Sequence, residues 1–72
     1  MRRAILDALR ARYEAEIAEA DATANIYLTN SVGIGEHPQH IEEVNKQIEK
    51  IANAREKIEV LDDFEPERGE TL

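Results

Sequence analysis

The chain has no cysteine and no tryptophan, and only three aromatic residues, three glycines and two prolines among its 72 residues. Without cysteine, disulfide bridges and thiolate zinc sites are excluded, and the lack of thiols fits a reducing compartment. No apolar run approaches the ~18 residues of a membrane span. Asp7 and Arg10 interrupt the apolar start Ala4-Ile5-Leu6 too early for a signal-peptide core. A soluble cytoplasmic protein is therefore expected, with no membrane association. A nucleophile–base pair also lacks its parts, because the two histidines, His37 and His40, sit together at one place. The expectation is a protein that is not an enzyme and holds no cofactor.

What the chain has in quantity is charge. Sixteen acidic residues stand against nine basic ones, a net charge of −7. That balance favours solubility and opposes non-specific binding to nucleic acid or anionic lipid. The charge is unevenly placed. Arg2, Arg3, Arg10 and Arg12 crowd the first dozen residues against Asp7 alone, while residues 56–67 carry six acids against Lys57 alone.

Periodicity supplies the fold class, which is all-α. Leu6, Tyr13, Ile17, Ala20, Ala24 and Tyr27 follow alternating steps of three and four once Arg10 is admitted, with Leu9 and Leu28 widening the stripe. No glycine or proline occurs before Gly33, and good helix formers dominate. These features predict a helix over about residues 2–31. A second stripe runs through Ile41, Val44, Ile48, Ile51, Ile58 and Leu61, with Ala54 or Arg55 filling its gap and Phe64 closing it. It predicts a helix over about residues 38–64. Glu42 and Glu43 suit that helix's positive end, and Glu42 stands in i,i+4 spacing to Lys46.

Between them, a loop over 32–37 is marked by Gly33, Ile34 and Gly35. Gly33 suits a left-handed helix stop, and Pro38 suits the first turn of the next helix. So short a connection makes the helices antiparallel neighbours. The hairpin occupies 1–64, and the acidic tail 65–72, with proline, glycine and little to bury, is expected to be flexible. Folding about the loop places Tyr27 and Leu28 near Ile41, Ile17 near Ile51, and Leu6 near Leu61 and Phe64. It also sets the early arginines beside the acidic end of the second helix.

A second row on the first helix, Ala4, Ala8, Ala11, Ala15, Ala18 and Ala22, repeats in steps of four and three, nearly opposite the apolar stripe. It is a candidate second interface, since small side chains let backbones approach; alanine's helix propensity explains it equally well. Ordering costs roughly 1.5 kcal/mol per residue, which a single two-helix seam hardly offsets. Pairing two hairpins into a four-helix bundle is the simplest closed solution. A homo-oligomer, with the dimer favoured, is the expected assembly.

Local chemistry is sparse. Glu36, His37, His40 and Glu43 offer two imidazoles and two carboxylates, but not at the spacing of a helical zinc motif, so no metal is expected. Gly33 and Gly35 lack the strand, third glycine and Lys-Ser/Thr pair of a phosphate loop. Arg10 and Arg55 fall at stripe positions, where their stems pack and their heads reach acids such as Glu14, Glu56 or Glu59. Asn25, Asn30 and Asn45 are placed either to bond across the bundle or to face water.

The stretch from Ile26 to Val44, with Ser31-Val-Gly-Ile-Gly-Glu-His-Pro38 its most specific part, continues into Ile48-Glu-Lys-Ile-Ala52 and Lys57-Ile-Glu-Val-Leu61. It resembles short uncharacterised proteins of marine tailed phages, of the cyanophage type. The resemblance covers about half to two thirds of the chain and gives no residue a role. It implies a viral or metagenomic source and an accessory function in the cytoplasm of an infected bacterium. Together these readings describe a small structural or adaptor protein that self-associates and engages a host or phage protein. The alternative is a nucleic-acid-binding hairpin dimer that uses Arg2, Arg3, Arg10 and Arg12, although the net charge makes nucleic acid the weaker expectation.

Overall fold

Alanine, glutamate, arginine and leucine dominate the first thirty residues, and nothing in them breaks a helix. The computed structural model describes residues 1–30 and 37–65. It shows two α-helices packed against each other, α1 over Arg2–Asn30 and α2 over His37–Asp62. Gly33, Ile34 and Gly35, and the tail from residue 66 on, lie outside the described residues. Pro38 falls in the first turn of α2, and the helix begins one residue ahead of it.

The helix ends follow from their hydrogen bonds. The Ile5 amide donates to the Met1 carbonyl at 3.0 Å, so Met1 stands at the mouth of α1. At the other end of the hairpin chain, Asp63, Phe64 and Glu65 donate to the carbonyls three residues back, at 2.9, 2.9 and 3.2 Å. These tight turns satisfy carbonyls that α2 leaves open. Phe64 therefore sits in a turn past the helix, 52% exposed in the single chain. Glu42 and Glu43 fall in the second turn of α2, whose first turn has no acid. The helix-dipole effect fades within one turn. Lys46 pairs with Glu43 at 3.3 Å and not with Glu42.

Burial shows which faces meet. On α1 the covered positions are Leu6, Arg10, Tyr13, Ile17, Ala20, Ala24 and Tyr27, with Leu9 and Thr23 half-buried beside them. On α2 they are His40, Val44, Gln47, Ile51, Ala54, Ile58 and Leu61, with Glu43 and Asp62 partly covered beside them. Both sets step by threes and fours, the pattern of helices lying along one another. The α2 seam is rotated from the apolar reading by one residue along half its length. Gln47 is buried at 7% exposure, while Ile41 and Ile48 stand 68% and 55% exposed.

The reason lies further along the helix. Val44, Ile51 and Ile58 form one line of the seam, and its companion must run through either 40-47-54-61 or 41-48-55-62. Ala54 and Leu61 favour the first line, whereas Arg55 and Asp62 would bring charge into the seam. A straight helix cannot change lines midway, so His40 and Gln47 are carried inward with Ala54 and Leu61.

The seam is narrow at its middle. Ala20, Ala24 and Ala54 are 2%, 8% and 1% exposed, flanked by Leu6 and Leu61 at 8% and 6%. Small side chains at the middle let the helices approach closely, and no large side chain among the described residues is fully enclosed. The hairpin is a flat rod, 54 × 21 × 14 Å.

Candidate interaction surfaces

The early arginines meet the acidic end of α2, as the antiparallel arrangement requires. Arg3 grips Glu65 with two parallel bonds, Nη1 to Oε1 at 2.8 Å and Nη2 to Oε2 at 2.9 Å, and its Nε reaches Asp7 at 3.1 Å. Arg10 donates to Asp62 at 3.0 Å and approaches Glu65 at 3.5 Å. Arg2 donates to the Phe64 carbonyl, closing an open backbone acceptor at the end of α2. Arg10 thus reaches Asp62 and Glu65 rather than Glu14, Glu56 or Glu59, and Arg55 is exposed.

This cluster shifts its own titration. The hydrogen bond from Arg3, more than any other cause, holds the Glu65 carboxyl below its ordinary value. Asp62, by hydrogen bonding, holds the Arg10 guanidinium above its ordinary value. Three of the four arginines on which a nucleic-acid reading depends are engaged within the chain. Arg12 is exposed, with no ion pair among the described residues.

At the opposite end the helices meet through rings. The Tyr27 and His40 rings lie 5.5 Å apart, edge to face at 70°. Midway, the Lys57 ammonium sits 5.4 Å from the centre of the Tyr13 ring, a cation–π contact. Asn25 bonds back to the Asp21 carbonyl of its own helix at 3.0 Å, and Asn45 is exposed. Among the described residues no three His, Asp or Glu side chains gather as a metal site would need. The His37 side chain and Glu36 lie outside what is described.

The two broad faces of the rod differ. Residues one step before the seam line 10-17-24 on α1 and the line 44-51-58 on α2 lie on one face. Residues one step after the lines 6-13-20-27 and 40-47-54-61 lie on the other. The first face holds an apolar groove lined by Leu6, Leu9, Tyr13, Val60, Leu61 and Phe64, with Glu56 and Lys57 at its edge. Beside it, Met1, Arg2, Ile5 and Leu6 line a hollow of their own. Further along, Glu16 and Glu19 of α1 share a polar hollow with Lys50, Asn53 and Lys57 of α2.

The second face has an apolar groove at its Tyr27–His40 end, lined by Tyr27, Leu28, His40, Ile41, Val44, Asn45 and Ile48. The remainder of its border is acidic, with Asp7, Glu14, Asp21 and Asp62 against Arg55. The two apolar grooves measure 530 and 460 Å³, so size does not distinguish the faces. Their charge does.

Ala4, Ala8, Ala11, Ala15, Ala18 and Ala22 are all exposed, along the back of α1 away from the seam. The residues that pattern reading missed are His40 and Gln47, whose polarity concealed their place in the seam; the clearest case is Gln47. Its spacing of seven from Ala54 and fourteen from Leu61 was the available signal.

No helix among the described residues is long and apolar enough to cross a membrane. No family model, curated protein or solved structure matches the chain.

Proposed function

We propose that the chain is a non-enzymatic helical protein that works by self-association, a second copy completing the hairpin to a four-helix bundle in a structural or adaptor role. The observation that supports this reading is the imbalance between what the seam covers and what it leaves wet. Among the described residues five apolar ones are buried, three of them alanines, while eight large apolar side chains are 50% exposed or more. A chain of this size is marginal with one thin core, and a second copy offers the missing cover. The likeness of residues 31–38 to marine phage proteins extends the proposal to an accessory role in an infected bacterium, with a host or phage protein as a further partner. Sedimentation equilibrium on the full chain tests the core of it. The expected mass is twice the 8.2 kDa of one chain; a helical species of single-chain mass would overturn the proposal.

A further inference from the structure

Resting on that reading, we infer that the second copy docks on the face holding Leu9, Lys57 and Phe64, with the Tyr27–His40 ends of the two hairpins together. The first argument is cover. Of the eight large apolar residues at least half exposed among the described residues, Ile5, Ile26 and Val60 lie toward this face by helical position and Phe64 lines its groove, against three on the other. The second is charge complementarity.

On this face the middle of α1 presents Glu16 and Glu19, while α2 presents Lys50 and Lys57 together with Lys46, which is paired with Glu43 of its own helix. Within one chain no ion pair joins the two sets among the described residues. The pairs Tyr27–His40, Tyr13–Lys57 and Arg3–Glu65 fix the register and put Glu16 level with Lys50. A two-fold axis along the rod lays α1 of each copy over α2 of the other without changing level. Glu16 then meets Lys50 of the second copy, and Ile5 and Leu9 meet its Val60 and Phe64.

Every helix gains antiparallel neighbours only, which suits their dipoles. On the opposite face the same stacking sets Asp7 of one copy level with Asp62 of the other, acid against acid. A broad face of 54 by 21 Å offers on the order of 1,000 Å² per copy, above the ~800 Å² per partner of a standard interface.

The test is charge exchange, read by sedimentation equilibrium with circular dichroism to confirm helicity. E16K/E19K alone and K46E/K50E alone each place like charges across both copies of the contact, and each should dimerise roughly 100-fold more weakly. Mixed in equal amounts they place opposite charges across both contacts, and the dimer should return as a heterodimer. The Leu28→Glu/Ile48→Glu variant, altered on the other face, should keep the wild-type mass. Dimeric E16K/E19K and K46E/K50E, or a monomeric Leu28→Glu/Ile48→Glu, would overturn the choice of face while leaving self-association standing.

A monomeric wild type would overturn both. Should either charge variant unfold, spin labels on Ala4→Cys decide the arrangement in the otherwise native chain. Labels at the same level lie roughly 25–35 Å apart, two to three helix diameters, whereas reversed hairpins put them well beyond roughly 40 Å.

Discussion

The two ends of the rod are held by different physics. At the end bearing the chain termini, Leu6 and Leu61 are buried, Arg10 holds Asp62 at the end of α2, and Arg2 and Arg3 hold Phe64 and Glu65 just past it. At the other end an edge-to-face contact between Tyr27 and His40 joins the helices, and Leu28, Ile41 and Ile48 remain wet. One end combines apolar burial with directional bonds that fix the register. The other brings Ala20, Ala24, Val44 and Tyr27 to the seam, with no leucine buried there among the described residues. The hairpin is therefore a clamp closed at one end, and its stability should depend on position along the rod.

Truncation at each end separates them most sharply. Leu61→Ala removes a side chain that is 6% exposed and should cost about 2–3 kcal/mol in denaturant unfolding. Leu28→Ala, at 62% exposure, should change stability by less than about 0.5 kcal/mol. Equal losses would erase the contrast.

Gln47 offers a way to sharpen it. Its side chain is buried in the weaker half of the seam. Gln47→Leu keeps the volume, adds apolar burial, and should stabilise the hairpin by about 1 kcal/mol. A loss of stability would show that the amide is needed where it stands.

The clamped end should also respond to acid. Glu65 has a folded-state value below its ordinary one, so its contribution is present above the unfolded value, about 4.3. It is lost as pH falls through the lowered folded value. Unfolding followed by circular dichroism should show this loss below about pH 4, and Glu65→Gln should be less stable near neutrality and show less of the acid step. A smaller effect still is expected from Ala11→Glu/Ala18→Glu, on the exposed back of α1. It should leave the mass in sedimentation unchanged, whereas a monomer would make the alanine row an interface.

The contrast between the ends also marks what could be read before the structure. Alternating steps of three and four, and the early arginines facing late acids, were enough to pair the helices antiparallel and to bring Leu6 to Leu61 and Tyr27 and Leu28 to Ile41. The α2 seam was harder, because Ile41 and Ile48 outweigh His40 and Gln47 in hydrophobicity. The decision is made one and two turns further on, where Ala54 and Leu61 exclude Arg55 and Asp62. Hydropathy at a residue does not show what its helical line must bury elsewhere. The docking face was less legible still, since it depends on which charges of α1 and α2 share a level.

The central claim is that a second copy supplies the half of the core that one hairpin lacks. Thermal unfolding of the wild-type chain across a hundredfold range of concentration tests that link between folding and association. A transition temperature that rises with concentration is predicted, because partner binding to the folded state stabilises it by mass action. A transition independent of concentration, in a chain that remains helical at the lowest dilution, would contradict it.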